Sequence, residues 1–260
     1  MSRRVALVTG ASSGIGADLT RVFAKHGQDL ALVARSKGKL EALADEIAAT
    51  GRPRPLVLVS DLAERDAADK IARGLAAADA SVEILVNNAG YGLLGDVADL
   101  DPEAQLGIID VNIRALVALT LKLLPQLKAA RGKILNVASI VAYLVGPRMA
   151  VYYASKAFVL SFSHALGYEL RPAGVTVTTL CPGVTLTNFQ ERAGFSEGLG
   201  IMALGGATSM SVAEAGYAGL MAGRRTVIPG LANKLLSRMG PLLPRAILLP
   251  MIAAMQKGNS

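Results

Sequence analysis

The chain is poor in the residues that hold metals, cross-link the backbone or grip nucleic acid. Its 260 residues include one cysteine, Cys181, two histidines and no tryptophan, and only 4% are aromatic. A lone cysteine excludes an intramolecular disulfide and points to a reducing, cytoplasmic setting. Cys181 itself reads as a small buried hydrophobe. His26 and His164 fall on separate helical patterns, so no Cys/His cluster is available for a metal. Lys and Arg exceed Asp and Glu, 27 to 20, yet they are scattered. No basic run is longer than Arg3-Arg4 or Arg224-Arg225 and no aromatics interleave them, which argues against a nucleic-acid surface. The excess suits an anionic small molecule such as a phosphorylated cofactor. Long apolar runs are missing too. The one behind Met1 stops at Thr9, too short for a signal peptide. The stretch Pro241 to Met255 is broken by Pro244, Arg245 and Pro250, short of the ~20 apolar residues a spanning helix needs.

Hydrophobic residues make up 52% of the chain and charged ones 18%, ample for a sheet covered on both faces. Short apolar, β-rich segments recur at Val5 to Thr9, Leu30 to Ala34, Leu56 to Ser60, Ile84 to Asn87, Ile134 to Ala138, Val175 to Leu180 and Thr226 to Ile228. Helical patterns separate most of them, which predicts an α/β fold with a doubly wound parallel sheet. The length suits a single domain over 1–260, with no linker or repeat. Asp101-Pro102-Glu103 opens one helix, Arg171 to Gly174 closes another, and Pro125 predicts a bend in a third.

Two local patterns carry chemistry. The first strand runs into Gly10-Ala11-Ser12-Ser13-Gly14-Ile15-Gly16 and then a helix. Glycines there let the backbone approach a pyrophosphate, which gains from the free N–H groups of a helix N-terminus. The second pattern is Tyr152-Tyr153-Ala154-Ser155-Lys156. Residues i and i+4 share a helix face, so the Lys156 ammonium can sit beneath the Tyr152 phenol. A nearby cation lowers a phenol's pKa, which predicts Tyr152 as a general acid or base. Tyr153 is the rival, but its spacing to Lys156 is three.

Thr9 to Gly16, Asn87-Asn88-Ala89-Gly90, Asn112, Ser139, Tyr152, Lys156 and Pro182-Gly183 together resemble the short-chain dehydrogenase/reductase family in its NADP-preferring form. The resemblance spans nearly the whole chain. It implies a Rossmann-type sheet of seven strands in the order 3-2-1-4-5-6-7 and an oxidoreductase acting on a carbonyl or alcohol. It further implies that Ser139 hydrogen-bonds the carbonyl, that Tyr152 gives the proton, that Lys156 holds the nicotinamide ribose, and that Asn112 completes a proton relay through a helix distortion. Asp61 and Leu62 match the adenine-contacting pair. Asn88, Ala89 and Gly90 back the cofactor, Pro182 and Gly183 close the sixth strand, and Thr187 matches the position that binds the carboxamide.

The residues themselves favour NADP(H). An acid about 20 residues past the glycine motif would bind the ribose 2′-hydroxyl of NAD. Arg35 stands there instead, followed by Ser36, and a guanidinium binds a 2′-phosphate in a forked, charge-assisted arrangement. Asp29 precedes the second strand and lies at its wrong end. An uncharged segment within 188–213 suits a substrate lid. The apolar extension over 231–256 either packs on the core or a partner subunit, or forms a membrane-touching arm or an apolar substrate wall, which would favour a hydrophobic ketone or aldehyde. The family implies a homodimer or homotetramer. The alternative to an enzyme is a non-catalytic NADP-binding regulator or a membrane-surface protein on the same fold.

Overall fold

The computed structural model describes residues 2–187, 189–195 and 206–257. Residue 188 and residues 196–205, part of the expected lid, lie outside the described residues. The chain opens β1 (Arg3–Thr9), α1 (Gly14–Lys25), β2 (Leu30–Ala34), α2 (Lys37–Ala49), β3 (Leu56–Val59), α3 (Ala67–Ala77) and β4 (Ala80–Asn87). There follow α4 (Pro102–Ile109), a π-helical turn at Asp110–Ala115, α5 (Leu116–Ala130), β5 (Lys133–Val137), α6 (Ala150–Glu169) and β6 (Thr176–Leu180). The last third holds β7 (Thr185–Leu186), α7 (Phe189–Ala193), β8 (Ala207–Thr208), α8 (Ser209–Met221), β9 (Thr226–Val227), α9 (Leu231–Met239) and α10 (Arg245–Lys257).

Seven parallel strands form one sheet in the order β3-β2-β1-β4-β5-β6-β9. The seventh strand of the expected order is thus the ninth of the chain, because β7 and β8 pair separately. Strand side chains alternate between faces, and both faces are covered. Ala6 and Val8 join Leu19, Phe23, Leu40 and Val212 in one core. Their neighbours Val5 and Leu7 join Leu75, Leu119, Leu123 and Leu166 in the other. Burial on both sides is why these strands read as unbroken apolar runs.

Local signals act as expected at several helix ends. The Asp101 side chain accepts a hydrogen bond from Ala104 N (2.9 Å) and Pro102 begins α4. α6 stops at Glu169, with Gly174 in the left-handed region at φ 73°. α5 runs on through Pro125, which ends neither the helix nor its burial of Leu127. Among the described residues, no helix is long and apolar enough to cross a membrane.

Candidate active site

Loops, a helix start and a helix face meet at the carboxyl ends of the strands. Gly10 follows β1 at φ 65°, and a Cβ on Gly16 would lie 2.3 Å from Gly10 O and 2.4 Å from Asn88 Nδ2. Glycine is required there by backbone proximity. Thr9 Oγ1 accepts from Asn88 N (3.0 Å) and Ala89 N (3.1 Å), and Asn88 Nδ2 donates to Thr9 O (2.9 Å). Asn88 therefore holds the turn in shape. Ser12, Ser13, Gly14 and Ile15 are half-buried at its mouth. Ser13 caps α1 without a side-chain hydrogen bond, and the first turn holds no acid. This donor set fits a dinucleotide pyrophosphate. Thr187 lies against the same turn, its Cγ2 3.1 Å from where a Gly14 Cβ would stand.

Arg35 and Ser36 follow β2 and are exposed. The Arg35 side chain is 79% exposed, and its Nη1 stands 3.9 Å from Asp61 Oδ2, a loose contact. Asp61 Oδ1 accepts from Ala63 N (2.9 Å), while Leu62 is buried. Asp29, at the other end of β2, is bonded to Arg3 Nε at 2.8 Å.

Ser139 follows β5, where its Oγ accepts from Val141 N (3.3 Å) and lies 3.5 Å from Pro182 O. The Pro182 carbonyl also accepts from Ile140 N (2.8 Å), tying the β5 and β6 loops together. Across from Ser139, α6 presents Tyr152, and the Ser139 side chain is near enough to act on the Tyr152 hydroxyl. Lys156 Nζ is buried, donates to Val137 O (2.9 Å), and stands 5.8 Å from the centre of the Tyr152 ring. Asn112 sits in the π-helical turn. Its Nδ2 donates to Tyr91 O (3.0 Å) and Ser155 Oγ (2.9 Å), and its Oδ1 accepts from Tyr91 N (3.1 Å). A Cβ on Gly90 would meet Asn112 Oδ1 at 3.0 Å and Lys156 Nζ at 3.3 Å. Ser139, Tyr152, Lys156, Asn112 and the glycine turn thus share one edge of the sheet.

One expectation needs correction. The four-residue spacing predicts a phenol made more acidic by Lys156. Instead burial pushes the Tyr152 hydroxyl well above its ordinary value, and the Ser139 side chain only partly opposes this. Burial also draws the Lys156 ammonium down, to about 8. Desolvation penalises both charged forms, and it is the largest cause of each shift.

Several contacts were not foreseen from sequence. Gly92 lies against Tyr152, where a Cβ would come within 2.9 Å of the ring. The Tyr153 hydroxyl accepts from Gln256 Nε2 at 3.3 Å, so the rival phenol faces α10. Around Tyr152 the wall is apolar, with Leu94, Val141, Leu144, Met149 and Phe189; the Phe189 and Tyr152 rings are 5.2 Å apart. Gly183 lies against Asn233 of α9. Neither histidine comes near: His26 stacks on Tyr217 and His164 meets Thr226. Among the described residues, no group of His, Cys, Asp and Glu could hold a metal ion.

A family model described as short chain dehydrogenase matches residues 4–197. A short chain dehydrogenase of Pseudocercospora fijiensis is 37% identical over 69% of this chain and 59% of its own. The very-long-chain 3-oxoacyl-CoA reductase of Homo sapiens is 36% identical over 72% of this chain and 61% of its own. The chain thus spans about three-fifths of the length of these relatives. Two solved structures superimpose closely. A short-chain dehydrogenase from Sphingobium yanoikuyae in complex with NADPH has a TM-score of 0.80 at 32% identity, over 91% of this chain and 92% of that one. A Burkholderia phymatum relative in complex with NAD has 0.79 at 25% identity, over 92% of each.

Proposed function

The chain belongs to the short-chain dehydrogenase family, oxidoreductases that use a nicotinamide cofactor, and from that premise we propose an NADP(H)-dependent reductase of hydrophobic ketones or aldehydes, working also in reverse. The observation that carries the reading is the juxtaposition of Ser139 and Tyr152, with Lys156 buried behind them, on the edge that holds the glycine turn.

The glycine turn and the α1 N-terminus would hold the pyrophosphate, Lys156 the nicotinamide ribose, and Thr187 the carboxamide. When bound, the reduced dinucleotide supplies a hydride to the carbonyl carbon. Ser139 and Tyr152 hold the carbonyl oxygen. As negative charge grows on that oxygen, two preplaced donors stabilise the transition state more than the ground state. Tyr152 Oη then passes its proton to the oxygen, giving the alcohol. A phenolate left in this dry site is costly, which is why a cation on the next helical turn is needed: Lys156 offsets the charge during turnover even though burial dominates at rest. Asn112 braces the Tyr91 backbone and Ser155, and the π-helical turn at that residue is where a relay to solvent would start.

Arg35 supports the 2′-phosphate reading, since its guanidinium is exposed at the end of β2 and its only ion-pair partner among the described residues is the loosely placed Asp61. The apolar wall beside Tyr152 supports a hydrophobic substrate, and the 3-oxoacyl-CoA substrate class named for the human relative agrees with it. The deciding experiment is a panel of carbonyl compounds followed by NADPH oxidation, wild type against Tyr152→Phe. A fall of ~10²–10⁴-fold is expected. Equal rates would remove Tyr152 as the proton donor.

A further inference from the structure

Helices α9 and α10 each turn apolar side chains to solvent, with basic ones exposed among them, and we propose that these faces dock on an anionic lipid bilayer. In α9, Leu231, Leu235 and Met239 recur every fourth residue and are 83%, 63% and 52% exposed. Residues at that spacing share a helix face. Lys234 and Arg238 form an exposed row beside it. The short turn that follows adds Leu242, 74% exposed. α10 divides its residues between two sides: Leu248, Ile252 and Gln256 are buried, while Ile247 and Met251 are exposed. A folded protein rarely leaves so many large apolar side chains in water without a partner for them.

Charge identifies the partner. Lys234, Arg238 and Arg245 are exposed, and from 215 to 260 there is no Asp or Glu. A second copy of this chain meeting the same surface across a two-fold axis would set cation against cation with no carboxylate in this segment to pair. A bilayer answers both features: the acyl boundary takes the leucines and methionines, and anionic headgroups take the basic side chains. Because no described helix can cross a membrane, the two helices would lie on it.

The same helices border the candidate site. Gly240, at the end of α9, lies against Leu144, and Gln256 of α10 donates to the Tyr153 hydroxyl at 3.3 Å. Docking would therefore bring the apolar wall beside Tyr152 to the bilayer, where hydrophobic carbonyl compounds collect. That second step rests on the proposed reduction; the docking does not.

The test is sedimentation of the full chain with vesicles of phosphatidylcholine alone or mixed with phosphatidylserine. The wild type is expected to pellet with the anionic vesicles and to stay largely free with the neutral ones, and raised salt should release it. K234Q/R238Q/R245Q should lower partitioning on the order of 100-fold, and L235S/I247S should lower it with charge intact, each with an unchanged melting temperature and NADPH affinity. Failure of the wild type to pellet, or equal pelleting of wild type and both variants, overturns the proposal. So does a dimer by light scattering that L235S/I247S dissociates without any vesicle binding, which would assign the surface to a second copy. Loss of activity in Tyr152→Phe leaves all of these readouts unmoved.

Discussion

At the amino ends of the strands Arg3 and Arg54 are paired with carboxylates, whereas at the carboxyl ends the polar groups of the candidate site have capacity left over. Arg3 bonds Asp29 at 2.8 Å, and Arg54 bonds both Asp45, at 2.8 Å, and Glu41. A cleft of about 180 Å³ opens among Arg3, Arg54, Pro55 and Ala80, yet its cations are already neutralised. At the carboxyl edge a narrow recess beside Tyr152 is lined by Leu93, Ile108 and Met149. There the α1 N-terminus has no side-chain cap, Arg35 has only a loose partner, and Tyr152 and Lys156 are both shifted by burial. Hollow volume is therefore a poor guide to the site. Groups whose interactions are incomplete mark it better.

If that contrast is right, damage to the carboxyl edge should be functional and damage to the amino edge should not. The largest loss is expected from Gly16→Ala, whose new Cβ would stand 2.3 Å from Gly10 O. The turn must shift, costing ~1–3 kcal/mol of stability, and NADPH binding by titration calorimetry should fall below detection. Retained affinity would move the phosphate site elsewhere. Next comes Arg35→Glu. Loss of a charge-assisted contact should raise the KM for NADPH by ~10–100-fold and leave that for NADH nearly unchanged. Equal changes for the two cofactors would show that Arg35 does not read the 2′-position.

A smaller effect separates the edges by pH. Burial lowers Lys156 from 10.5 to about 8. Between these values the unfolded chain keeps a proton that the folded chain has released. Stability contributed by this group therefore rises with pH across that window, by at most about 1.4 kcal/mol per unit. Cys181 works in the opposite sense, since burial raises its thiol from 9.0 to about 12 and stability is lost as pH passes 9. Denaturant melts of the cofactor-free protein from pH 7.5 to 9, wild type minus Lys156→Met, isolate the first effect. Parallel curves would mean the amine titrates as if exposed.

The strands were legible because a sheet covered on both faces imposes continuous apolar runs, and the glycine turn because close backbone approach leaves no choice of residue. The two-residue strands β7 and β8 lie outside the apolar β-rich runs, one of which marked β9, so no periodicity registers them. The π-helical turn at Asn112 is accompanied by tertiary ties to Tyr91 and Ser155, so the distortion there was implied by the family resemblance and not by any local propensity. Gly92 and Gln256 were missed for the same reason, since each matters through an approach between distant segments. The Tyr152 and Lys156 spacing correctly put both on one helix, but spacing carries no information on burial, and burial set the direction of the phenol's shift.

The smallest expected effect is the sharpest control. Asp29 and Arg35 bracket the same five-residue strand, β2, one at each end. Asp29 is the acid that most closely precedes the position that would read a ribose hydroxyl, so a sequence comparison alone could assign it the cofactor. Its carboxylate, however, is bonded to Arg3, and the two side chains are 29% and 35% exposed. A partly solvated pair of this kind contributes ~0–1 kcal/mol. Asp29→Asn should therefore lower the melting temperature slightly and leave kcat/KM for NADPH and NADH alike. A change in cofactor preference would bring the amino edge into the chemistry and undo the distinction between the two ends of the sheet.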